Sequence, residues 1–204
     1  MRIIAGLFKG KKILEPADIK TRPLKDLTKE SIFNIIQHSN KFKVQLVNAN
    51  ILDIFSGVGS FGIECISRGA KKVYFNESYK GAIEILKKNI KILNCEDKSI
   101  LIEIDAFKIE NILKKLNKKF DLIFIDPPFK EEKINILLEI LLNLKILKTN
   151  GIIIIHRNKK INEVITDKLN IIETRDYGIS KIILGNLYLP NIFLVSFFIN
   201  STAG

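Results

Sequence analysis

Cysteine is scarce in this chain: of 204 residues, only Cys65 and Cys95 carry thiols. Both fall in apolar, helix-like settings without metal-ligand spacing, which argues against a disulfide scaffold or a zinc site and leaves buried, reduced thiols. Long apolar runs are missing too. Nothing approaches the roughly 20 residues of a membrane span, and the amino terminus has no signal-peptide core, so a cytoplasmic protein with no membrane partner is expected. Internal repeats and low-complexity tracts are absent. The two histidines, His38 and His156, have no acid or nucleophile matched to them nearby in the sequence and read as structural or surface residues. Acidic residues are in deficit, 22 against 33 lysines and arginines, for a net charge of +11. That imbalance points to a polyanionic partner. What the chain does have is apolar bulk, 47% of its residues, enough for a sizeable core in one domain with a small appendage.

The pattern along the chain divides it into a basic arm over residues 1–40, a main domain over 41–190 and a tail over 191–204. In the arm, Arg2–Ala5 and Lys12–Leu14 read as a short β-hairpin turning through Lys9-Gly10, followed by a helix from Asp26 to Gln37. Residues 42–49 read as a loop. β-Branched runs then alternate with amphipathic stretches. Strands are expected at Ile51–Ile54, Lys72–Asn76, Ile100–Ile104, Leu122–Ile125 and Ile152–Ile155, with helices at Phe61–Arg68, Lys80–Leu93, Phe107–Leu116, Lys130–Leu147 and Ile161–Leu169. Ile171–Arg175 and Lys181–Leu184 flank Tyr177-Gly178 as an antiparallel hairpin. The fold expected is α/β and Rossmann-like: a doubly wound sheet of seven mostly parallel strands, closed by that hairpin and preceded by the arm. An apolar run at 192–199 is either another edge strand or a tail.

Three stretches carry chemistry. The first strand leads into Asp53-Ile-Phe-Ser56-Gly57-Val-Gly59-Ser-Phe-Gly62, a Gly-x-Gly-x-x-Gly loop with Glu77 about 20 residues further on, placed to bind ribose hydroxyls. The loop fits a nicotinamide dinucleotide as well as an adenosylmethionine cofactor. Glycines that merely permit a tight turn are the simpler alternative. The third strand ends in Asp105-Ala106, where a carboxylate faces the crevice and can accept from an adenine amine, or can simply cap the turn that follows. The fourth ends in Ile125-Asp126-Pro127-Pro128-Phe129. Prolines leave no amide to donate and hold the chain extended, so a carboxylate, a free carbonyl and a ring stand side by side on a stiff lip. That set suits an extruded nucleobase: the oxygens accept from its amine while the ring stacks on it. Basic charge gathers in the arm at Arg2, Lys9, Lys11, Lys12, Lys20, Arg22 and Lys25, where phosphate contacts supply affinity rather than specificity. Arg2, Lys9, Lys11 and Arg22 are the RNA-contact candidates, and Arg22, stiffened by Pro23, is the foremost.

The glycine loop together with Asp126-Pro-Pro-Phe129 resembles the class I S-adenosylmethionine-dependent methyltransferases that modify exocyclic amines. More narrowly, Met1-Arg-Ile-Ile-Ala-Gly6, Thr21-Arg-Pro23, Asp26 and Lys29-Glu-Ser-Ile-Phe-Asn34 resemble the opening of the RsmD family of 16S ribosomal RNA (guanine-N2)-methyltransferases. Ile51-Leu-Asp-Ile-Phe-Ser-Gly57, Ser67-Arg-Gly-Ala70 and Arg175-Asp-Tyr-Gly178 continue the match over most of residues 1–188. It departs at Leu27-Thr28, where the family has Arg-Val, at Phe129, where it has Tyr, and at Ile155-His156, where a Glu-His pair is common. The resemblance implies S-adenosylmethionine over Ser56, Gly57 and Gly59, with Glu77 on its ribose, Asp105 and Ala106 near its adenine, and Asp53 toward its ammonium. It further implies a monomer whose substrate is ribosomal RNA or an assembling small subunit, a guanine stacked on Phe129 with its N2 held by Asp126 and the Pro127 carbonyl, and no metal. Adenine-N6 methylation, a nicotinamide oxidoreductase and a non-catalytic RNA-binding assembly factor are the competing readings.

Overall fold

The runs Leu122–Ile125 and Ile152–Ile155 at the middle of the sheet are apolar without interruption because both faces of the sheet are covered there. The computed structural model describes residues 1–15, 24, 26–161, 165–167 and 169–187. Its elements are α1 Asp26–His38, β1 Asn50–Ile54, α2 Ser60–Ser67, β2 Lys72–Asn76, α3 Lys80–Ile92, β3 Ser99–Ile102, α4 Glu110–Leu116, β4 Phe120–Ile125, α5 Ile134–Asn143, β5 Leu147–Asn158, β6 Leu169–Tyr177 and β7 Ser180–Leu187. The sheet runs β3-β2-β1-β4-β5-β7-β6, parallel through β5 and antiparallel for the last two strands. Side chains alternate across a strand. Ile51, Val73, Leu122, Phe124 and Ile154 therefore pack with Phe33, Phe61, Leu86 and Ile90 from α1–α3. Leu52, Tyr74, Ile123, Ile125 and Ile153 pack on the other face with Leu113, Leu137, Leu138 and Leu141 from α4 and α5. The chain winds outward from β1 through β2 to β3, then returns to the far side of β1 with β4. A crevice opens at the carboxyl ends of β1 and β4, where the winding reverses.

The amino-terminal hairpin is smaller than expected, a single antiparallel bridge between Arg2 and Lys12, and its backbone is hydrogen-bonded to the domain as well as to itself. Ile4 and Ala5 N–H donate to the two carboxylate oxygens of buried Glu64 at 2.8 and 2.9 Å. Phe8 N–H donates to Ser67 Oγ, and Leu14 exchanges two hydrogen bonds with Asn89. Lys29, fully buried on α1, donates to the Arg2 carbonyl and to Ser60 Oγ and lies 3.9 Å from Glu64. Ile3, Phe8 and Ile13 share the core of the first face with α1–α3.

Element boundaries account for most departures. The helix expected over Lys130–Leu147 is confined to Ile134–Asn143, because Lys145 turns left-handed at φ 50° and Leu147 already opens β5. The stretch expected as one helix from Phe107 begins as a 3-10 turn over Ala106–Lys108 before α4. A helix over Ile161–Leu169 is not borne out where the residues are described: Ile161 and 165–167 are irregular, and Leu169 begins β6. Residues 162–164 and 168, and the run at 192–199, lie outside the described residues. No helix among the described residues is long and apolar enough to cross a membrane. Cys65 and Cys95 are free and buried, and burial pushes both thiols up from their ordinary range.

Candidate active site

A cavity of about 650 Å³ fills the crevice. Among the residues singled out in the sequence, Asp53, Ser56, Gly57, Glu77, Asp105, Asp126, Pro127 and Phe129 line it. Gly59 and Ala106 do not. A Cβ at Gly59 would sit 2.4 Å from Leu86 Cδ1, so this glycine, at φ +88°, serves the packing of the loop on α3, and Ala106 is buried in the second core face. Gly62 is equally closed off, its Cβ position 2.3 Å from the Phe75 ring. Gly57 alone of the three glycines has nothing within 4 Å of that position, and its φ of +55° turns bare backbone toward the cavity. Phe55, also on the wall, holds φ 58°, a left-handed conformation costly for a bulky side chain and concentrated at functional sites.

The Gly57 amide of the loop is taken by the protein's own carboxylate. Glu77 Oε2 accepts from Gly57 N–H at 2.8 Å, and Oε1 accepts from Ser78 and Tyr79 N–H, just past β2, at 2.9 Å each. In a dinucleotide fold the glycine loop faces a pyrophosphate. Here it faces a carboxylate. Four further acids, Asp53, Asp105, Asp126 and Glu131, join Glu77 on the wall with Lys133, so the cavity of a protein with net charge +11 has a predominantly acidic lining. Asp53 is 1% exposed. Its Oδ2 accepts from Gly62 N–H at 3.0 Å, while Oδ1 is buried with no hydrogen-bond partner. Burial pushes its carboxyl well above the usual range, the Gly62 amide pulls it back, and the charges of Asp126 and Glu77 add to the rise. A buried orphan oxygen in an acid-lined cavity calls for a cationic partner.

Asp105 performs the capping role, accepting from Phe107 N–H at 3.0 Å. The turn that presents it is held by Asn76, whose amide donates to the Ile102 and Ile104 carbonyls. At the lip, Asp126 N–H donates to the Ile54 carbonyl at 3.2 Å, which fixes the end of β4 against the end of β1. Asp126 Oδ1 lies 2.7 Å from His156 Nδ1, and His156 Nε2 lies 2.8 Å from Ser180 Oγ. His156 is 2% exposed and meets the Phe129 ring edge-on at 6.1 Å between centroids. His156, expected to be a structural or surface residue with no acid nearby in the sequence, is thus buried and has an acid in space. The acid is 30 residues away and arrives through the pairing of β4 with β5, Ile125 opposite Ile155, which puts His156 level with Asp126.

Sequence reasoning also passed over Ser180, Asn76, Phe55 and Phe107. A polar residue at the end of an apolar strand was the available signal for Asn76 and His156. In the arm, Arg2, Lys9 and Lys11 are exposed, with Lys11 Nζ 5.3 Å above the Phe8 ring, and Arg22 lies outside the described residues.

A profile of the family described as conserved hypothetical protein 95 matches residues 1–186. The chain is 32% identical over 189 residues to the ribosomal RNA small subunit methyltransferase D of Buchnera aphidicola, covering 89% of this chain and 88% of that one. It is 31% identical over 180 residues to the protein of the same name from Haemophilus influenzae, covering 88% and 90%. A solved Haemophilus influenzae structure, described as a candidate methylase, superposes with a TM-score of 0.70 at 31% identity over 91% of this chain and 98% of that one. Matched over nearly its whole described length in sequence and in fold, the chain belongs to the conserved hypothetical protein 95 family, among the RsmD-like methyltransferases.

Proposed function

We propose that this protein methylates the N2 amine of a guanine in small-subunit ribosomal RNA, using S-adenosylmethionine. The observation that carries the cofactor choice is Glu77 seated on the Gly57, Ser78 and Tyr79 amides. A nicotinamide dinucleotide would bring its pyrophosphate against that carboxylate and against Asp53, whereas a ligand bearing an ammonium and a sulfonium meets complementary charge. Asp53 Oδ1 is the natural acceptor for the ammonium. Glu77 spends three of about four carboxylate lone-pair sites on amides and keeps room for a ribose hydroxyl. Asp105 caps with one oxygen and has the other available for an adenine amine.

Bound there, the cofactor supplies a methyl group on positively charged sulfur. The chain's own residues do the rest. Phe129 stacks on the extruded guanine, and Asp126 with the Pro127 carbonyl accepts from N2. A guanine amine is a weak nucleophile because its lone pair is delocalised into the ring. Hydrogen bonds that favour a pyramidal nitrogen return that pair to the attacking direction, and holding the amine in line contributes through positioning. Exposed Arg2, Lys9 and Lys11, with Arg22, engage phosphates.

Nucleoside mass spectrometry of small-subunit RNA incubated with the protein and methyl-labelled cofactor tests the reading. Labelled N2-methylguanosine is the expected product. Labelled N6-methyladenosine would move the chain to the adenine-specific enzymes, for which the same lip is suited, and no label with intact RNA binding would favour the assembly-factor reading.

A further inference from the structure

On the reading of Asp126 as the residue that aligns the target amine, we propose that His156 and Ser180 are positioning residues that fix the rotation of its carboxylate. A carboxylate only accepts, so the 2.7 Å contact requires hydrogen on His156 Nδ1, donated to Asp126 Oδ1. Nε2 lies 2.8 Å from Ser180 Oγ. A hydroxyl both donates and accepts, so Ser180 serves the neutral ring by donating to Nε2 and the charged ring by accepting from it. In either state the Nδ1–H···Oδ1 bond stands. Oδ1 is thereby committed to the protein, and Oδ2, which has no hydrogen bond among the described residues, is the oxygen left for the amine.

The strand register builds this chain. β5 continues past Ile155, the partner of the last residue of β4, and so brings His156 beside the lip. β7 runs back antiparallel with Ser180 opposite Asn158 and Ile182 opposite His156, so Ser180 is the diagonal neighbour of His156 on the same face. The same imidazole meets the Phe129 ring edge-on. One buried side chain thus braces both groups that face the base. A histidine buried only for packing would need its nitrogens satisfied, but not by the acid and the ring of the lip together.

Two variants separate the nitrogens. Asn at this position offers its amide near the place of Nδ1, and Gln near that of Nε2. His156→Gln is expected to lower kcat by about 10-fold to 100-fold, as when an orienting partner is removed from a ligand it holds, with KM for RNA and cofactor affinity unchanged. His156→Asn is expected to keep kcat within a few-fold of wild type. In the Asp126→Ala background, His156→Gln should have no further effect, because the group it orients is gone.

A second readout does not depend on turnover. The chain has two histidines, and His38 is exposed, so 15N-histidine spectra are readily assigned. His156 is expected to show hydrogen on Nδ1, and Asp126→Ala is expected to remove that preference. An unprotonated Nδ1 in the wild type, equal losses in the Asn and Gln variants, or wild-type kcat in His156→Gln beside an inactive Asp126→Ala would each overturn the proposal. Full turnover in Asp126→Ala would instead overturn the reading of the lip on which it rests.

Discussion

Asp126 and Asp53 sit in one cavity with different partners, the His156 ring for one and the Gly62 amide for the other, and substitutions at the two should separate cleanly. On the proposed function, Asp126→Ala removes the acceptor for the target amine as it pyramidalises. Its kcat should fall by on the order of 10²-fold, about 3 kcal/mol, with cofactor affinity nearly intact in calorimetry. Phe129→Ala should weaken base capture by roughly 1–3 kcal/mol, and Phe129→Tyr should be close to silent in the same single-turnover assay. Asp53 behaves otherwise. Burial raises its carboxyl in the folded protein, so the fold holds this proton more tightly than the unfolded chain does. Its contribution to stability is then fullest in acid and is lost as pH rises from the ordinary carboxylate range, about 4, through the raised value. Asp53→Asn keeps an acceptor for Gly62 N–H and removes the charge. Thermal melts of the cofactor-free protein should show a higher Tm for the variant at neutral pH, with the gap closing toward pH 4, while cofactor binding weakens. Residues of this kind are legible when their role is written next to them: Asp126 stands before two prolines, Glu77 at a set distance from the glycines. His156 and Ser180 were not legible, since their meaning depends on which rungs of β4, β5 and β7 face each other, and that register is a property of the assembled sheet.

Among the elements, α2 carries the most varied load. Its first turn holds Ser60 on the cavity wall, Phe61 stacks between Phe33 of α1 and Phe124 of β4 at 5.0 and 3.8 Å, and Glu64 holds the arm. Glu64→Ala would leave the Ile4 and Ala5 amides unsatisfied and remove the carboxylate paired with Arg68 at 2.8 Å and lying 3.9 Å from Lys29. Removing one partner of a buried pair is typically worth about 3–5 kcal/mol. A chemical denaturation curve should show that loss, and an unchanged midpoint would mean that the Glu64 contacts contribute nothing to the fold. The sheet was readable at this scale because two covered faces demand unbroken apolar strands, and amphipathic helices between them demand parallel pairing. The end of α5 was not. Lys145 turns left-handed just after that helix without glycine, so the usual punctuation is missing there.

For the whole molecule, the net charge is positive while the cavity lining is predominantly acidic. The two ligands should accordingly respond differently to salt. RNA affinity, resting on counterion release, should fall steeply with ionic strength in a filter-binding titration, and cofactor affinity, resting on contacts inside the cavity, should change little. A flat RNA response would remove the argument from charge. The stitching of the arm also has a consequence in time. Backbone donors at Ile4, Ala5, Phe8 and Leu14 find their acceptors 60, 59, 59 and 75 residues later in the chain. Synthesis proceeds from the amino terminus at about 5–20 residues per second. The arm, made before the helices that receive it, therefore waits for them on the order of several seconds during nascent-chain growth.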